Sequence, residues 1–95
     1  MTETYDRVQK FLLEEVASLT STPLSSITPD TALVGTHRVV DSADLVMLLL
    51  SAEEYASAEL GVVFDWKSDS AMSEARSTLR NIGSLARHLT DLQTP

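Results

Sequence analysis

Residues 40–61 read Val40-Asp-Ser-Ala-Asp-Leu-Val-Met-Leu-Leu-Leu-Ser-Ala-Glu-Glu-Tyr-Ala-Ser-Ala-Glu-Leu-Gly61. The stretch holds no proline, keeps glycine for its last position, and is much longer than an ordinary strand. Asp41 is a good N-cap, because its carboxylate can accept from the free N–H groups of a first turn. Gly61 stands where a helix turns left-handed at its end. We therefore expect a helix over about 41–60, ending at Glu59 or Leu60. Its buried side should carry Leu45 or Val46, Leu49, Ala52, Ala56 and Leu60. The opposite side should show Asp44, Met47, Ser51, Glu54 and Ala58. The apolar run Leu45–Leu50 is far too short to cross a bilayer.

Toward the N-terminus, Val8, Phe11, Leu12, Val16 and Leu19 form one apolar stripe and predict a helix over about 3–19. Thr2 or Thr4 can cap it, and Pro23 stops it. Residues 20–40 form a long connection rich in turn formers, with Leu24, Ile27, Leu33 and Val34 placed to pin it to the core. A short helical turn is expected near Pro29–Leu33. Beyond Gly61, Val62–Trp66 has strand-forming residues but no partner strand, so it reads as an apolar linker packed on the core. A short or irregular helix is expected over about 70–80, with Met72, Ala75 and Leu79 on one side. Asn81 caps a last helix over about 82–92, whose face is Ile82, Leu85, Ala86, Leu89 and Leu92. The expected fold is all-α: a single domain over 1–95, a small four-helix bundle with a long first loop.

The 95 residues include 14 acids against 7 Lys and Arg, a formal charge of −7, and no cysteine. Such a length fits one domain. The charge disfavours nucleic-acid or anionic-membrane binding, which need cations against phosphate. It suits partners that carry basic patches. Without cysteine there are neither disulfides nor thiolate metal sites, and a cytoplasmic domain is expected. Met1-Thr-Glu-Thr-Tyr-Asp6 lacks the basic and apolar regions of a signal peptide.

His37, Asp41 and Ser42 lie close in sequence and raise the idea of a hydrolytic triad. Asp41 and Ser42 are consecutive at a helix start, however, so their side chains diverge, and no oxyanion loop accompanies them. His37 and His88 are far apart and lack carboxylates at ligand spacing. Gly35 alone makes no phosphate loop. His88, mid-helix beside Arg87, is expected on the solvated surface. Catalysis by this chain is the poorer reading.

In length, helix order, acidity and the Asp41-Ser42 start of its second helix, the chain resembles the acyl carrier proteins. The likeness runs from about Tyr5 to Leu92, through Ile27-Thr-Pro-Asp-Thr-Ala-Leu33, Val40-Asp-Ser-Ala-Asp-Leu-Val46 and Asn81-Ile-Gly-Ser-Leu-Ala-Arg-His-Leu89. It implies that Ser42 is the attachment site of 4′-phosphopantetheine, donated by coenzyme A through a phosphopantetheinyl transferase (a holo-synthase), with Asp41 as its motif neighbour. The arm's thiol would carry acyl groups as thioesters in fatty-acid, lipid or polyketide-type biosynthesis. A phosphodiester near the positive end of a helix is electrostatically favoured. The partners implied are acyl-transferring, ligase or synthase enzymes with basic patches, reading Asp44, Met47, Ser51 and Glu54. A cytoplasmic monomer is expected. The interior between the second and last helices could shelter a lipid chain or simply be core.

Some positions depart from the family pattern. Val39 stands where Gly is frequent, Ala43 where Leu usually follows the serine, and Met47 where an acid is common. Met47 is either adaptable partner surface or buried by a slight turn of the helix. The second helix carries about four residues more than is usual for the family, near Tyr55–Glu59, or about one extra turn. Arg76 and Arg80 stand where relatives are more acidic. These differences point to a specialised carrier. A peptidyl or aminoacyl carrier is the nearest alternative, disfavoured by Arg38-Val39-Val40 and the charge. A helical adaptor that carries nothing and docks through its acidic second helix is the alternative from another class.

Overall fold

The structure, a computed structural model, describes residues 3–35, 40–68 and 77–93. Three α-helices are present among them: α1 (Glu3–Thr20), α2 (Ser42–Tyr55) and α3 (Ile82–Gln93), and no strand. The all-α expectation holds at this level. The helix expected over 70–80 falls largely outside the described residues. Its Leu79 is buried in the core, while Met72 and Ala75 lie among residues that are not described.

α1 is the central element, packing along both α3 and α2, whereas α2 and α3 approach each other at few points among the described residues. Val8, Leu12 and Val16 are fully buried on α1, while Phe11 and Leu19 sit half-buried at the edges of the stripe. They meet Leu48, Leu49 and Ala52 of α2 and Ile82, Leu85 and Leu89 of α3 in one apolar core. No polar or charged residue is buried among those described, so every described titratable group reaches solvent. Leu92, expected on the face of α3, is instead more than a third exposed, because the last turn runs past the end of the core.

The connection 21–40 differs from expectation in detail. Its helical turn is a 3₁₀ turn at Leu24–Ser26, with Ser26 and Ile27 N–H donating to Pro23 and Leu24 carbonyls. Pro29 and Asp30 form a tight turn, closed by Thr31 N–H to Thr28 O at 3.0 Å. The backbone beyond it cannot be helical, because its groups are used elsewhere. Gly83 N–H donates to Pro29 O at 2.8 Å, Ile82 N–H to Thr31 O at 3.2 Å, and Leu33 N–H to Arg80 O at 3.3 Å. Ala32 and Asn81 form an isolated antiparallel bridge at this seam. A Cβ on Gly83 would stand 3.2 Å from Pro29 O, so a larger residue here would push the two backbones apart by a few tenths of an ångström. Ile27 and Leu33 are buried as expected, but Leu24 is exposed, pointing away from the core on the 3₁₀ turn.

α2 begins at Ser42, and a π-helical turn follows it at Ala56–Leu60. Gly61 ends it in the left-handed region at φ 66°, and the N–H groups of Gly61 and Val62 converge on Ala56 O. Leu48 joins the expected Leu49, Ala52, Ala56 and Leu60 in the core, Leu45 is half-buried, and Val46 faces outward. The segment 62–66 is an extended linker. Phe64 is its buried anchor, while Val63 projects into solvent. At the start of α3, Asn81 Oδ1 accepts from Ser84 N–H at 2.8 Å and Ser84 Oγ accepts from Asn81 N–H at 3.0 Å, a reciprocal cap. His88 corrects the surface expectation. It is half-buried, its ring edge-on to Phe64 with centroids 5.6 Å apart.

Candidate functional site

Asp41 is extended (φ −84°, ψ −179°), and its Oδ1 accepts from Asp44 N–H at 2.8 Å. Its own carbonyl accepts from Leu45 N–H at 2.9 Å, the first bond of the helix. Ser42 is therefore the first helical residue, and its side chain is exposed, as is that of Ala43. The hydroxyl stands at the positive end of α2, where an attached anion is favoured by the helix macrodipole.

Beside Ser42 lies a shallow cleft of about 60 Å³, walled by Leu33, Val34, Val40 and Leu45. That is room for a few waters and not for a long acyl chain. Leu48, Leu85 and Leu89 fill the interior behind it and are fully buried, so core packing accounts for them. His37 lies outside the described residues. Among those described, no three His, Asp or Glu side chains come together at metal-ligating distance.

The four expected docking residues, spaced i, i+3, i+7 and i+10, share one face of α2 but differ in surroundings. Asp44 sits half-buried in the first turn. Met47 is 53% exposed, so α2 is not turned to bury it. Ser51 and Glu54 lie further along, on a groove shared with Phe11 and Glu15 of α1. Val46 (45% exposed) and Leu50 (44% exposed) flank Met47 and make an apolar stripe that the sequence reading missed. The signal was available: six consecutive apolar residues at 100° per residue cannot all face one side of a helix.

The five acids between Asp41 and Glu59 are also not equivalent. Glu53 turns toward the linker, where Trp66 Nε1–H donates to it at 3.1 Å and Lys67 Nζ lies 3.9 Å away. Asp41, Glu54 and Glu59 remain exposed.

Compared with protein-family models, curated proteins and solved structures, the chain matches none.

Proposed function

We propose that this chain is an acyl carrier protein, with Ser42 esterified by 4′-phosphopantetheine. The observation that supports this most is the exposed Ser42 hydroxyl at the first position of α2, capped by Asp41 and bordered by a small apolar cleft. The donor chemistry fits the group. Ser42 Oγ gives up its proton to a base of the transferase and forms a bond to the phosphorus of coenzyme A that bears pantetheine. The diphosphate bond breaks, and adenosine 3′,5′-bisphosphate leaves. Once attached, the arm supplies the thiol that the chain lacks, for thioester linkage to acyl groups in lipid or polyketide-type synthesis. The exposed position of Ser42 admits a second enzyme, and the apolar walls of Val34, Val40 and Leu45 can receive the dimethyl-bearing portion of the arm that follows its phosphate.

In this reading residues near 70–80 supply the short additional helix of a four-helix bundle. The protein works as a cytoplasmic monomer. Asp44 and Met47 meet partner synthases, ligases or acyltransferases near the serine. Val46, Met47 and Leu50 equally favour a second reading, a helical adaptor that carries nothing, since an exposed apolar stripe suits docking with or without an arm.

One measurement separates the two. Intact mass after incubation with coenzyme A and a phosphopantetheinyl transferase of broad specificity should rise by about 340 Da. The Ser42→Ala protein should show no gain. An unchanged mass with several such transferases sinks the carrier reading and leaves the adaptor.

A further inference from the structure

Away from Ser42, α1 and the far end of α2 enclose a groove of about 300 Å³. Its floor is aromatic: Phe11 and Tyr55 stack with ring centroids 4.3 Å apart and 24° between planes, both half-buried. Among the described residues, three carboxylates stand around this floor, Glu15 from α1 and Glu54 and Glu59 from the α2 side, and no basic side chain lines the groove. The wide π-helical turn Ala56–Leu60 carries Glu59 to its end wall. Tyr55 lies thirteen residues after Ser42, about 20 Å along the helix at 1.5 Å per residue. The groove is thus a separate place on the molecule.

We infer that this groove docks an arginine-bearing segment of a partner protein. The negative rim and aromatic floor select a flat cation. A guanidinium stacks on an aromatic face while its N–H fork engages carboxylates at the edges, and it gives up its hydration more readily than an ammonium. A lysine matches the charge but not the plane. A neutral apolar chain would leave three carboxylates partly desolvated without a counter-ion. Ser51 and Glu54 also belong to the docking face of the carrier reading, so the inference deepens that reading's partner contact; no part of it uses Ser42, and loss of the mass gain at Ser42 would leave it standing.

The test is an amide and aromatic NMR titration of the whole protein with acetyl-Arg-Arg-Arg-amide, and with its lysine and citrulline counterparts. Shift changes should centre on Phe11, Glu15, Tyr55 and Glu59. The arginine peptide should bind about threefold or more tighter than the lysine peptide, and the neutral citrulline peptide should not bind. Glu54→Gln with Glu59→Gln, both exposed and tolerant positions, should weaken the arginine peptide by about fivefold or more. Tyr55→Leu should remove the preference for arginine over lysine, while Ser42→Ala should bind as the parent does. Three results overturn the inference: shifts spread equally over Asp6, Asp30 and Asp91, equal affinity for arginine and lysine peptides, or no loss in the double Gln protein. Groove signals that move with protein concentration before any peptide is added assign the groove to a second copy, which also overturns it.

Discussion

Trp66 donates its indole N–H to Oε1 of Glu53 at 3.1 Å across thirteen positions of sequence, and Lys67 lies 3.9 Å from the same oxygen. Lys67 Nζ also stands 5.1 Å from the Trp66 ring centroid. An acid that reads as part of a free helix face is thus a clasp for the linker that leaves α2. Glu53→Ala should cost about 1 kcal/mol in urea unfolding followed by Trp66 fluorescence, the scale of a partly buried hydrogen bond. Lys67→Met, which removes only the exposed ion pair, should cost about 0.5 kcal/mol or less. Equal effects of the two would mean that the hydrogen bond is not what holds the linker.

Asp41 caps α2 through Asp44 N–H. Asp41→Ala should lose about 1 kcal/mol of stability, and Asp41→Asn, which keeps an acceptor oxygen, much less. Thermal unfolding of the three proteins checks the order. An unchanged melting temperature in Asp41→Ala would show that the cap does not hold the helix start.

Leu48 and Val46 are near neighbours on one helix with opposite environments, fully buried and 45% exposed. Leu48→Ala should cost about 2–5 kcal/mol, enough to bring a small domain close to unfolding. Val46→Ala should stay within about 0.5 kcal/mol. Denaturant midpoints that fail to separate the pair would mean that α2 is rotated from the orientation described.

Asp65 has its carboxyl held below the ordinary 3.8, first by the Ser68 hydroxyl, then by the backbone N–H groups of Lys67 and Ser68. Both N–H groups donate to Oδ1 at 3.1 Å. A lowered folded value means that the turn gains stability above about pH 3.8 and loses it as pH falls through the lower folded value. Carboxyl ¹³C titration should place the Asp65 midpoint below 3.8, and Ser68→Ala should move it back up. A midpoint at or above 3.8 in the parent would remove this account of the turn.

The helices were legible because their signals are local. Asp41, Gly61 and Asn81 marked ends within one residue, and Val8, Leu12 and Val16 marked the buried face of α1. Three kinds of feature were not legible. Pro29–Leu33 reads as a turn former, but its conformation is set by hydrogen bonds to residues 80–83, a pairing that no periodicity records. The rotation of α2 is ambiguous inside Leu45–Leu50, where every residue is apolar, so Leu48 was missed and Val46 stood as an alternative to Leu45. Glu53 and His88 carry surface-type side chains, and only the return of the linker along the helices gives them Trp66 and Phe64 as neighbours. For the candidate site, the cap and the exposed serine follow from the residues themselves. The groove formed by Phe11 and Tyr55 needs the packing of two helices and leaves no mark in either one alone.

The seam between residues 29–33 and 80–83 sets an order of events during synthesis. Leu33, one wall of the cleft beside Ser42, is held by the carbonyl of Arg80, and Pro29 by the N–H of Gly83. A nascent chain can complete α1 and α2 early, yet it lacks the backbone that fixes this wall until residues 80–83 have left the ribosome. The serine's surroundings therefore take their final form only when the last helix begins to fold, so a modifying enzyme that reads the finished cleft would not act on a half-made chain.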